Sequence, residues 1–150
     1  MKRFFLISIL LSLVLMILQG CANSGCTDAT ADNYDPDATE SSDNCIPARD
    51  KFLGDYLVQA NCTDTSYVYN ISIITATGLN KIVIQNFGDY AIDVNASVSG
   101  SLVEITEGTY GTKIISGSGE LSGYTMVLHY IAVEIGTSDT VSCTITATKS

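Results

Sequence analysis

The chain has 150 residues, with 7 Lys and Arg against 16 Asp and Glu, and a formal charge of −9. Such a surface repels nucleic-acid phosphate, which argues against a nucleic-acid partner, and it is compatible with binding cations. The length suits one domain with a short appendage.

The chain opens on Lys2 and Arg3, followed by fifteen uncharged residues from Phe4 to Leu18. That run is short for a spanning helix of roughly 20 residues and has the size of a signal-peptide apolar region. Leu18-Gln19-Gly20-Cys21 closes it. These residues resemble the lipobox of bacterial lipoproteins, with Gln19 standing where that family usually has a small residue. The resemblance implies cleavage after Gly20 and a lipid anchor on Cys21. It places the protein in the cell envelope, on the outer membrane of a Gram-negative bacterium, at its periplasmic or surface face. An ordinary secretory signal and a retained membrane helix are the alternatives. Residues 1–20 are thus read as the signal peptide. All 16 acids but only five of the seven bases lie beyond it, so the remainder carries a formal charge of −11.

With Cys21 assigned to the lipid, Cys26, Cys45, Cys62 and Cys143 remain. An even number in an exported chain reads as two disulfides, with three possible pairings. Residues 21–48 form an acidic spacer. From Gly25 to Cys45 there are six acids, no base and one large apolar residue, Tyr34. Such a stretch cannot build a core. A Cys26–Cys45 bridge would constrain it, by roughly 3 kcal/mol for a loop of this size. Gly25 to Asp28, Ala31, Asn33, Tyr34, Pro36, Ala38, Thr39 and Cys45 resemble a short repeat of secreted Gram-negative proteins, although Asp43-Asn44 replaces its Asp-Gly-Ser end. The resemblance implies no defined activity. Asp32, Asp35, Asp37 and Asp43 are hard oxygen ligands of the kind Ca²⁺ prefers. The EF-hand spacing fails, because Glu40 stands where the loop needs Gly and Ile46 where it needs Glu. Calcium and a solvated spacer are therefore both open for this segment.

Residues 49–150 change to period two, and no amphipathic helical run appears. Eight strands are predicted, at 53–62, 66–76, 81–87, 90–99, 102–106, 112–121, 124–134 and 139–148. Short turns rich in Gly, Asn, Asp and Ser separate them, so each strand pairs with the next. This predicts an all-β fold, an eight-stranded antiparallel up-and-down barrel. Two packed sheets are the alternative. Alternation places Ile92, Val94, Ala96 and Val98 inward, and likewise Val141, Cys143, Ile145 and Ala147. The same parity holds for Tyr56, Val58, Ala60 and Cys62, for Tyr67, Tyr69, Ile71 and Ile73, and for Met126, Leu128 and Tyr130. Gly117 and Gly119 share the inward parity of the sixth strand, where they permit a sharp coil or leave space. In a closed barrel the first and last strands are neighbours, so Cys62 and Cys143 are predicted to bridge them, by roughly 4–5 kcal/mol on the chain-entropy model.

Phe52-Leu53-Gly54-Asp55-Tyr56 is similar to the Gly-x-Trp opening of lipocalin-type barrels, with Tyr56 in place of Trp. More broadly, Ile84-Gln85-Asn86-Phe87, Cys62 and Cys143 resemble a group of short bacterial lipoprotein barrels. That resemblance implies a lipocalin-like (calycin-type) fold and no defined ligand.

No catalytic constellation is visible, and enzyme activity is not expected. His129 is the only histidine and falls on an outward position. No CxxC spacing points to zinc or thiol chemistry. Tyr56, Tyr67, Tyr69 and Tyr130 are the candidate pocket-lining residues, apolar bodies with polar tips. Binding of a small apolar ligand or glycan is the first expectation. A structural or protein-interaction role and inhibition of an enzyme are the others.

Overall fold

A computed structural model describes residues 22–42, 44–137 and 139–150. Residues 1–20, Cys21 and Asp43 lie outside them. Two short strands, β1 (Ser24–Gly25) and β2 (Glu40–Ser41), pair in parallel within the acidic segment. The chain then passes through a 3-10 turn, Ala48–Phe52, into eight longer strands. These are β3 (Gly54–Cys62), β4 (Ser66–Thr75), β5 (Lys81–Gln85), β6 (Val94–Ser99), β7 (Leu102–Tyr110), β8 (Lys113–Ser122), β9 (Thr125–Glu134) and β10 (Thr140–Lys149). They form a closed antiparallel barrel in which β10 returns to pair with β3. The fold is an all-β closed barrel, as the alternation predicts, and it is consistent with the lipocalin-like fold that the resemblance implies; the two-sheet alternative is set aside.

Closure is stapled as expected. Cys143 stands directly opposite Cys62 in the β10–β3 register, and the two are bridged, 81 positions apart in sequence. The inward parities hold. Val58, Ile84, Val94, Leu128 and Ile145 are fully buried, and Tyr56, Tyr69 and Tyr130 nearly so. Tyr67, Ile92 and Val141 are half-buried against the same core.

The strand bounds differ from expectation by one or two residues at several ends and by four at two places, each of these for a local reason. The fourth strand begins at Val94, not 90, because Phe87–Asp89 forms a second 3-10 turn. Asn86, Gly88, Asp89 and Ala91 there adopt positive φ, which a strand cannot accommodate. The fifth strand continues to Tyr110 instead of stopping at 106. A register shift between Ile105 and Gly108 breaks the alternation, and pairing with β8 resumes at Gly108–Ile115.

Both ends of the barrel are covered. At the proximal end, where β3 begins, Ala48 and Phe52 are fully buried and pack toward β4 and β6. The Tyr56 hydroxyl donates to the Phe52 carbonyl at 2.8 Å, and Arg49 donates to the Ala76 carbonyl at 2.8 Å and to that of Gly78. At the distal end Phe87 plugs the barrel, its ring centroid 4.7 Å from that of Tyr130.

Gly117 and Gly119 serve the coil, not a cavity. A Cβ on Gly117 would lie 2.6 Å from the His129 carbonyl oxygen, and one on Gly119 would overlap the Val127 carbonyl oxygen. Only glycine lets β8 approach β9 so closely. Gly119→Ala should therefore cost at least about 3 kcal/mol. Gly123→Ala, in an open hairpin with φ +59, should cost about 1 kcal/mol, through backbone strain alone. Urea unfolding of both variants checks this, and equal costs would contradict so close a β8–β9 approach.

Candidate functional site: the distal mouth

The acidic segment is ordered by side chains bonding to backbone. Cys26 and Cys45 are bridged, as expected. Asp28 Oδ1 accepts from the Thr30 amide at 2.8 Å and from its hydroxyl at 2.7 Å. Asn33 Oδ1 accepts from the Ile46 amide at 2.7 Å. Of the calcium candidates, Asp43 lies outside the described residues. Asp32 pairs with Lys51, and Asp35 Oδ1 accepts from the Asp37 amide at 3.0 Å. Among the described residues no three His, Cys, Asp or Glu side chains converge to hold a metal.

The four candidate tyrosines part company. Tyr56 sits two residues into β3 at the proximal end, its hydroxyl committed to Phe52. β4 runs the other way, so its early inward residues, Tyr67 and Tyr69, stand at the distal mouth. Tyr130 joins them from β9, through the register Cys143–Tyr130 and Cys143–Cys62.

These three surround Gly88. The Tyr67 hydroxyl donates to the Gly88 carbonyl at 3.1 Å, and the Gly88 amide donates to the Tyr69 hydroxyl oxygen at 3.2 Å. A Cβ on Gly88 would meet the Tyr90 ring at 2.6 Å and the Tyr130 hydroxyl at 3.1 Å. The Tyr130 hydroxyl is itself buried beside the Tyr67 hydroxyl and makes no hydrogen bond of normal geometry among the described residues. The backbone around it is strained as well. Asn86, Asp89 and Ala91 are the only non-glycine residues with positive φ among the described residues, and all three lie in this loop. Such clustering is typical of functional loops.

Burial pushes the phenols of Tyr67, Tyr69 and Tyr130 above the ordinary tyrosine range. They remain neutral near pH 7 and act as hydrogen-bonding groups. Beside them opens a cleft of about 360 Å³ lined by Cys62, Thr65, Tyr67, Gly88, Asp89, Tyr90 and Val141. Lys113 Nζ lies 4.6 Å from the Tyr90 ring centroid and pairs with Glu134, without lining the cleft. Gly88, Asp89 and Tyr90 are not candidates in the sequence reading, which places 88–89 in a plain turn.

A second cleft, of about 660 Å³, opens beside Ala76 and beside Ile82, Asn95, Ala96 and Tyr110 of β5, β6 and β7. None of the described clefts reaches Val58, Ile84, Val94, Leu128 or Ile145. A larger groove of about 880 Å³ lies on the outer face of β7, β8 and β9, beside Leu102, Glu104, Glu120, Val127 and His129. His129 points outward, as expected, and its Nδ1 lies 2.8 Å from the Thr144 hydroxyl.

A comparison with protein-family models finds no match, and neither does a comparison with curated proteins.

The hydroxyls around Gly88 should respond differently to removal. Tyr130→Phe deletes a buried group with no hydrogen bond of normal geometry and should leave stability unchanged or raise it by about 1 kcal/mol. Tyr69→Phe strands the Gly88 amide and should lower it by about 1–2 kcal/mol. Thermal unfolding of both variants checks the order, and a larger loss for Tyr130→Phe would contradict a hydroxyl without a normal hydrogen bond.

Proposed function

We propose that the protein is a lipid-anchored envelope binding module, tethered through Cys21, whose filled barrel is a scaffold and whose distal mouth is the working surface. The observation that carries this reading is the gathering of Tyr67, Tyr90 and Asp89 around one cleft beside a strained loop. The ligand is a small molecule, or the exposed group of a larger one. A cleft of about 360 Å³ falls at the low end of small-molecule sites. The chain enters the barrel at the opposite end, so a tether at Cys21 leaves the mouth free to meet a ligand.

The chemistry at the mouth suits recognition over catalysis. Neutral phenols offer hydrogen bonds and flat apolar faces. A protein-contact role draws support from a different place. Leu102 on β7 and Val127 and Ile131 on β9, the strands either side of β8, are 57%, 38% and 47% exposed on the outer face.

A native mass spectrum of the protein extracted from its own membrane tests the first reading. It should show an acylated Cys21 and a small non-covalent adduct that the Tyr90→Ala variant loses. An unmodified Cys21 would refute the tether. An adduct retained by the variant would refute the site.

A further inference from the structure

We infer that the distal cleft is selective for an organic ammonium group, a primary or quaternary amine carried on a short hydrocarbon body. This inference rests on the binding-module reading and names its ligand class.

Three features of the cleft point the same way. Its walls are largely aromatic and apolar: Tyr67, Tyr90, Val141 and Cys62. Such walls favour a hydrocarbon body, and the faces of tyrosine rings also attract cations. The Tyr90 ring already takes one cation, since Lys113 Nζ stands 4.6 Å from its centroid. Secondly, the charge at the rim is negative. Asp89 lines the cleft, and Lys113, the base beside Tyr90, is engaged by Glu134. A carboxylate next to aromatic walls complements an ammonium and repels a carboxylate or phosphate. The formal charge of −11 beyond residue 20 adds a field that concentrates cations near the surface. Thirdly, the backbone holds Asp89 in place against its own preference. Asp89 has φ +61, between Gly88 at +65 and Ala91 at +55. The loop is pinned by the Tyr67 and Tyr69 hydroxyls and by the Asn86 side chain, which donates to the Asn70 carbonyl at 2.8 Å. The carboxylate is thus presented from a fixed turn, which lowers the entropic cost of engaging a ligand.

The size of the cleft limits the body of the ligand. It admits a short amine or the amino end of a larger molecule, and not an acyl chain laid along its length.

The test uses the protein from residue 22 onward with both disulfides intact, followed by amide NMR. The probes are n-butylammonium, tetramethylammonium, butan-1-ol and butyrate. Both ammonium probes should shift the amides of Thr65, Gly88, Asp89 and Tyr90 and saturate in the millimolar range. n-Butylammonium should bind at least tenfold more tightly than butan-1-ol, and butyrate should produce no shift. Asp89→Asn keeps the positive-φ backbone, which Asn tolerates well. It should weaken the ammonium probes about tenfold and leave butan-1-ol unchanged. Equal binding of the alcohol and the amine at these amides would overturn charge selection while the binding-module reading stands. So would an ammonium affinity unaffected by Asp89→Asn. Shifts spread over the other acidic residues would identify screening of surface charge and overturn the site. No shift from any probe would overturn the inference as well, leaving the binding-module reading to the adduct mass.

Discussion

Closing eight strands into one sheet fixes the side of every residue at once. The constraint is concentrated at a single register position, Cys143 opposite Cys62, where the last strand meets the first. A slip of one residue there would turn Val58, Ala60, Ile145 and Ala147 toward solvent. The bridge removes chain entropy over a loop spanning 81 positions, worth about 4–5 kcal/mol on the loop-closure model. It also stands at the distal mouth, where Cys62 is one of the residues lining the cleft.

A small barrel closed this tightly has little interior to spare. Side chains fill it, Gly117 and Gly119 let β8 coil onto β9, and a 3-10 turn covers each end. The two covers differ in kind. Ala48–Phe52 lies at the proximal end with its buried side chains in the core and its backbone in ordinary geometry. Phe87–Asp89 closes the distal end through left-handed residues, with one tyrosine hydroxyl beneath it lacking a hydrogen bond of normal geometry. Strain and a poorly satisfied polar group at the same end mark the mouth as the place where stability has been traded for something else.

Much of the barrel was legible because its signal repeats. Val94-Ala96-Val98 against Asn95-Ser97-Ser99, and Val141 to Ala147 against their hydroxyl neighbours, state their faces directly. From those faces the Cys62–Cys143 pairing follows. The 3-10 turns were not legible, since three to five residues are too few to show a period. Ile92 also shares the parity of Val94, which made the fourth strand look four residues longer than it is. At β7 the bulge after Ile105 hid the continuation to Tyr110.

The candidate site was half legible. Inward parity found Tyr67, Tyr69 and Tyr130 but grouped them with Tyr56, although antiparallel strands carry early residues of β3 and β4 to opposite ends. Asp89 and Tyr90 stand in a loop, where parity says nothing, and only the placement of Gly88 between three tyrosines reveals them. The central claim is that the barrel is a filled scaffold whose chemistry lies at its mouth. Xenon binding followed by methyl NMR tests it most directly, because xenon enters dry apolar cavities. The methyl groups of Val58, Ile84, Leu128 and Ile145 should show no saturable shift under xenon pressure. A saturable shift centred on those four would reveal an interior chamber and contradict the claim.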